Sequence, residues 1–238
     1  MNLNRLKYSL ILPSYNEYNN LKLLIPKLMD CFKVRNYEII VVDDNSPDLT
    51  TFKLKPKFKK YKFIKFILRK KNRSLGLSIR DGIKISKSDN IIVMDSDFNH
   101  RPLDLKKMIS KFEKKNCDFV CGSRFIPNGY SSTFFRHHTS KLFNFYVNLI
   151  TNGNLTDNLS GFFIIKKKFI RNQLKKIFYG YGDFYIRLLY LMQKKKLRIT
   201  EIPLKYAPRK FGFSKSKLLK MFYSYSLETI KIVLKDKI

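Results

Sequence analysis

The 238-residue chain has no apolar run long enough to cross a bilayer as a helix, which takes roughly 20 residues. Its N-terminus also lacks the apolar core of a signal peptide. Cysteine is scarce. Cys31, Cys117 and Cys121 are odd in number and without the paired spacing of zinc ligands, which argues against a disulfide framework or structural zinc and for reduced thiols in the cytoplasm. Acidic residues are few, 18 against 49 Lys and Arg, giving a formal charge of +31. Most of the basic residues are Lys and are spread along the chain, which fits a lysine-rich bias or attraction to an anionic membrane. Specific nucleic-acid binding would call for Arg clusters or a known module, and neither is present. No Gly-x-Gly-x-x-Gly follows the first apolar run, which speaks against a dinucleotide oxidoreductase.

What is present is an alternation of short apolar runs with helical patterns, the signature of an α/β domain with a mainly parallel sheet. Strands are predicted at 7–13, 37–43, 61–68, 90–95, 118–123, 159–166 and 197–205. Helices are predicted at 18–33, near 48–56, at 75–87, 102–115 and 136–151, near 168–177, at 183–195 and at 214–236. Pro102 suits the first turn of its helix, where a missing N–H costs little.

Three of the strands end in polar groups. Tyr8–Pro13 leads into Ser14-Tyr15-Asn16-Glu17, and Tyr37–Val42 into Asp43-Asp44-Asn45-Ser46. Ile91–Met94 leads into Asp95-Ser96-Asp97, the chain's one Asp-x-Asp. Residues two apart project to one side of an extended chain. Two carboxylates at a strand's C-terminal end suit Mg²⁺ or Mn²⁺ bridging to phosphates. Taken alone, an Asp-x-Asp is more often a solvated turn, and the case for a metal rests on its neighbours.

With its neighbours, this pattern resembles family 2 glycosyltransferases of the GT-A, Rossmann-like fold, and among them the polyprenyl-phosphate sugar transferases of dolichol-phosphate mannosyltransferase type. The resemblance runs from about Tyr8 to about Leu218. It rests further on Asn72-Arg73-Ser74-Leu75-Gly76, His100-x-Pro102, Gly122-Ser123-Arg124, Arg136-x-x-x-Ser140, Asp157-x-x-Ser160-Gly161-Phe162 and Arg209-x-x-Gly212-x-Ser214-Lys215. It implies a domain over 1–213 and a C-terminal amphipathic helix over 214–238.

By the same resemblance, Pro13, Tyr15, Asn16, Glu17, Asp43 and Asp44 grip the nucleotide of a GDP- or UDP-linked sugar. Asp95, Asp97 and Asn99 hold the metal, with His100 behind them. Arg209 and Lys215 close over the diphosphate. Arg124, Arg136, Ser140 and Ser160 meet the acceptor, and catalytic roles fall to Asp97, Arg124 and Asp183. The chain departs from the family pattern at Ser74, where Gly is usual, at Phe163, where Arg is usual, and at Arg187, near which relatives carry Glu.

The implied reaction moves mannose or glucose, with inversion, to a polyprenyl phosphate from the cytoplasmic face of a membrane that the enzyme touches peripherally. A hydroxyl acceptor in a cell-surface glycan is the alternative, with Asp183 as base. A non-catalytic basic module that binds membrane or nucleic acid is the remote one.

Overall fold

The computed structural model describes residues 6–32, 36–114, 117–130, 134–206, 210–211 and 218–236. Among the described residues, seven strands form one sheet in the order β3-β2-β1-β4-β6-β5-β7. They are β1 Tyr8–Ser14, β2 Tyr37–Asp43, β3 Ile64–Leu68, β4 Asn90–Val93, β5 Phe119–Ser123, β6 Phe163–Lys166 and β7 Ile199–Pro203. All pairings are parallel except those of β6 with β4 and with β5. The helices are α1 Tyr18–Cys31, α2 Thr50–Lys57, α3 Leu75–Ile85, α4 Pro102–Lys114, α5 Phe134–Thr151, α6 Leu174–Ile177, α7 Asp183–Lys194 and α8 Leu218–Asp236.

The central strands β1, β2 and β4 are mostly apolar and buried because both sheet faces are covered there. Leu10, Leu12, Ile39, Val41 and Ile92 face a core with α1 and α4 residues such as Leu24, Leu28, Leu105 and Met108. Their alternates Ile11, Ile40, Val42, Ile91 and Val93 face a second core with Ile79, Ile83, Leu188 and Leu189 of α3 and α7. A third, smaller cluster joins Phe143 and Val147 of α5 to Ile186 of α7 and Tyr225 of α8. The three cysteines are free and buried.

The topology places the site. β1 pairs with β2 on one side and β4 on the other, and the chain builds outward in opposite directions from that point. Loops leaving such a switch point splay apart and open a crevice at the strands' C-terminal ends.

Several expected elements are shorter than predicted. β4 stops at Val93, so Asp95 and Asp97 sit in the loop beyond it. β6 begins only at Phe163, because Gly161 turns the chain with φ +71°. In place of one helix near 168–177 there is a single 3₁₀ turn, Lys167–Phe169, followed by the four-residue α6.

Candidate functional site

The crevice at the switch point is a cavity of about 1230 Å³. Its floor is Pro13, Ser14 and Tyr15 after β1, Asp44 after β2, and Asp95, Ser96, Asp97 and Asn99 after β4. Its walls come from residues within 72–79, from 159–161 and 179–182, and from Phe184, Tyr185, Tyr206 and α8.

The loop carrying the two carboxylates is held by its own side chains. Ser96 Oγ donates to the Pro13 carbonyl at 2.8 Å, which fixes the loop against β1. The main-chain N–H of Asp95 donates to His100 Nδ1 at 3.0 Å. Asp97 Oδ1 accepts from the Asn99 N–H at 3.0 Å and Oδ2 from the Asn99 amide at 3.1 Å. That amide also meets the Tyr206 hydroxyl at 3.2 Å. Between them Phe98 takes φ +71°, a left-handed conformation that a bulky residue rarely adopts. The Asp95 side chain is 36% exposed, whereas Asp97 is buried.

The electrostatics follow from this packing. His100 is fully buried and stacked on Phe162 at 4.6 Å, and burial lowers its pKa to about 4, so the imidazole is neutral near pH 7. Burial, and then the charges of Asp95 and Asp97, push the Tyr206 phenol up.

Could this loop hold a divalent cation? Among the described residues no three His, Cys, Asp or Glu side chains gather as a ligand cluster. Mg²⁺ and Mn²⁺ at phosphate-handling sites nevertheless need only one or two carboxylates, since substrate phosphates and water complete the shell. Asp95 and Asp97, together on the cavity floor, meet that requirement. Asn99, whose amide is turned toward Asp97, orients that carboxylate.

The expected nucleotide residues divide. Pro13, Tyr15, Glu17 and Asp44 line the cavity. Asn16 and Asp43 belong instead to the scaffold beneath it. Asp43 accepts from the Ser46 N–H and hydroxyl and from the Thr51 N–H, which ties the β2–α2 loop, and the Asn16 N–H donates to Ser46 Oγ. Asn45 takes φ 58°, a left-handed turn that Asn tolerates.

Asp44 accepts from Arg69 Nη1 on one oxygen and from the Ser74 N–H, at 2.6 Å, on the other. Burial raises its carboxyl, against the pull of Ser74 and Arg69. Asp81 anchors the same Arg69 at 2.9 Å. Arg73 lies 4.3 Å over the ring of Tyr15. Sequence reasoning missed Arg69, although it stands directly after β3, where its neighbours place their polar groups.

The acceptor-side residues divide too. Ser160 lines the cavity, whereas Arg124, Ser140 and Asp183 stand outside its lining. Arg124 grips Asp157 with Nε and Nη2, each at 2.8 Å, and with its main-chain N–H at 3.1 Å. Burial opposes the guanidinium charge, but Asp157 outweighs it and raises the pKa. Asp183 accepts from Arg187 on Oδ2 and from the Tyr181 N–H on Oδ1. Arg209, Lys215 and the side chain of Arg136 lie outside the described residues. The sequence offered no sign of Tyr206, which follows β7, or of Met221, Ser224 and Tyr225, which α8 adds to the cavity wall.

Comparison with known proteins gives the family and the fold. Residues 9–174 match the model of glycosyl transferase family 2, and the chain belongs to that family. It is 33% identical over 228 residues to a dolichol-phosphate mannosyltransferase of Pyrococcus furiosus, covering 89% of this chain and 60% of that one. The chain therefore spans less than two thirds of that relative's length. The Saccharomyces cerevisiae dolichol-phosphate mannosyltransferase is 27% identical over 221 residues, covering 88% and 81%. Among solved structures, glucosyl-3-phosphoglycerate synthase of Mycobacterium tuberculosis, in complex with Mn²⁺, UDP and phosphoglyceric acid, superposes with a TM-score of 0.71. It covers 96% of this chain and 77% of its own at 15% identity, which establishes the GT-A fold.

Proposed function

We propose that this chain transfers a sugar, mannose or glucose, from a GDP- or UDP-linked donor to a polyprenyl phosphate, with inversion and with Mg²⁺ or Mn²⁺. One observation carries the reading: Asp44, Asp95 and Asp97 share a single cavity at the C-terminal ends of three adjacent parallel strands. The names of the Pyrococcus and yeast relatives support mannose and a lipid phosphate.

A hard cation held by Asp95 and Asp97 would neutralise the departing diphosphate. The chain's own residues do the rest. Tyr15, Glu17, Asp44 and Arg73 border the space for base and ribose, and the Ser96–Pro13 bond keeps the carboxylate loop beside it. An acceptor phosphate is largely ionised near neutral pH, its second pKa lying near 6. It needs no general base, which agrees with an Asp183 committed to Arg187 and the Tyr181 amide. Arg124, oriented by Asp157, contributes positive charge on the acceptor side.

The acceptor's tail would stay in the bilayer, so the enzyme must meet it at the surface. Among the described residues no helix is long and apolar enough to cross a membrane. The outer faces of α5 and α8 suit peripheral binding at the cytoplasmic face. Leu142, Phe145 and Leu149 are 70%, 66% and 69% exposed, and Tyr223, Ile230 and Leu234 stand outward on α8. Lys141, Lys231 and Lys235 accompany them. The side chain of Leu219 lies outside the described residues.

The decisive experiment incubates the protein with a panel of sugar nucleotides, Mg²⁺ or Mn²⁺, and polyprenyl phosphate, and identifies the product by mass spectrometry. A glycosyl phospholipid is expected. Transfer only to free hydroxyl acceptors would replace this reading with the glycan-building one.

A further inference from the structure

The cavity wall at 179–182 is squeezed between two helices that are far apart in sequence. On one side it meets the start of α3. The Gly180 carbonyl accepts from the Gly76 N–H at 3.1 Å and from Ser74 Oγ at 2.6 Å. A Cβ on Gly76 would fall 2.5 Å from the Tyr179 carbonyl, so only glycine permits the approach. On the other side it meets α8, where a Cβ on Gly182 would lie 2.2 Å from the Tyr225 hydroxyl.

A buried guanidinium fastens the second side. Arg187 donates to the Ile177 carbonyl at 2.8 Å and to the Tyr179 carbonyl at 2.5 Å, and its plane lies 3.5 Å from the Tyr179 ring centre. The same group pairs with Asp183 and, at 3.0 Å, with Glu228 of α8. Glu228 also accepts the Tyr179 hydroxyl. Contacts thus run without a gap from Glu228 through Arg187 and Tyr179 to Gly180, then through Ser74 to Asp44. Both Arg187 and Glu228 lie beyond the 9–174 segment that matches the family model.

We propose that Arg187 and Glu228 are positioning residues that make the seating of α8 a condition for donor binding: their ion pair holds the Tyr179–Gly182 wall, which in turn holds the Ser74–Asp44 contact at the nucleotide end. This rests on the reading of the cavity as a nucleotide-sugar site. Asp183 serves here as a strut in the same clasp.

The test compares wild type with Glu228→Gln, Arg187→Gln and the double variant. Lys231→Ala, on the exposed side of α8, is the control. Amide hydrogen exchange in the ligand-free protein reads the wall directly. In Glu228→Gln the Ser74 and Gly76 amides should exchange roughly tenfold faster, a typical coupling between sites, and the double variant should be no worse than the worse single one. Affinity for UDP and GDP with Mn²⁺, measured by calorimetry, should fall by a similar factor for whichever binds. In turnover, KM for the donor should rise more than kcat falls. Glu228→Gln is isosteric and carries the test should Arg187→Gln fail to fold. Faster exchange confined to α8, with Ser74 and Gly76 unchanged, would overturn the proposal, as would the same effect in Lys231→Ala. The exchange measurement needs no donor. A failure to transfer sugar would therefore remove the proposed reaction while the clasp is judged on its own.

Discussion

The loops after β2 and β4 bring carboxylates into the cavity, whereas those beside the helical wall of α7 and α8 stand outside its lining and are held under different constraints. At the strand ends Asp95 is 36% exposed, and its neighbour Asp97 is oriented by an uncharged amide. Around the helical wall Asp157 and Asp183 are each locked to an arginine, Arg124 and Arg187. Under the proposed function, a carboxylate that lines the cavity is placed to meet an incoming cation. One in a desolvated ion pair has spent that charge on holding two segments together, and losing its partner is costly. Asp44, at the end of β2, combines the two situations, since it lines the cavity and is also paired with Arg69.

The largest effect should come from Asp97→Asn. Loss of several kcal/mol of transition-state charge stabilisation lowers turnover by roughly two to three orders of magnitude, with circular dichroism and melting temperature unchanged. Full activity in this variant, or in excess chelator, would erase the distinction between the regions.

Next is Arg124→Ala, which leaves Asp157 buried without its partner. Such a loss costs about 3–5 kcal/mol, a fall in melting temperature of roughly 10 °C for a chain of this size. A variant that melts like wild type but loses activity would move Arg124 into the group that meets ligands.

His100 gives an effect of the same order, confined to acid. Its folded pKa of about 4 lies below the ordinary 6.5, so between those values the unfolded chain binds the extra proton. Its contribution to stability is therefore complete above about 6.5 and is lost as pH falls toward 4, by on the order of 3 kcal/mol. Denaturant titrations from pH 4 to 7 should show a shallower slope for His100→Gln than for wild type. Parallel curves would mean that the imidazole titrates normally.

The smallest stability effect is expected on the outer face of α5. Leu142→Ser with Phe145→Ser should change unfolding free energy by only about 0.5 kcal/mol. Flotation with anionic vesicles should nevertheless fall, and wild-type binding should weaken with salt. Equal flotation of both proteins would remove α5 from the membrane contact.

How much of this was legible in the sequence depends on how local the signal is. The strands of both cores read directly from apolar runs, since a run buried on both faces needs no partner to be recognised. Asp44, Asp95 and Asp97 follow from their position after such runs. Asn16 and Asp43 have the same address yet hold the loop below the cavity, because a rotation of one residue along a turning backbone exchanges floor for lining.

The chain by itself determined the α/β alternation, the family, and the carboxylates at the strand ends, because these depend on residues within a few positions of one another. Only the tertiary structure decided that Ser74 meets Gly180 across 106 residues, that Arg69 occupies Asp44, and that α8 closes the wall through Glu228. Those partners are set by where separate elements dock, and a lone Arg or Glu on a helix reads the same whether it faces water or a buried charge.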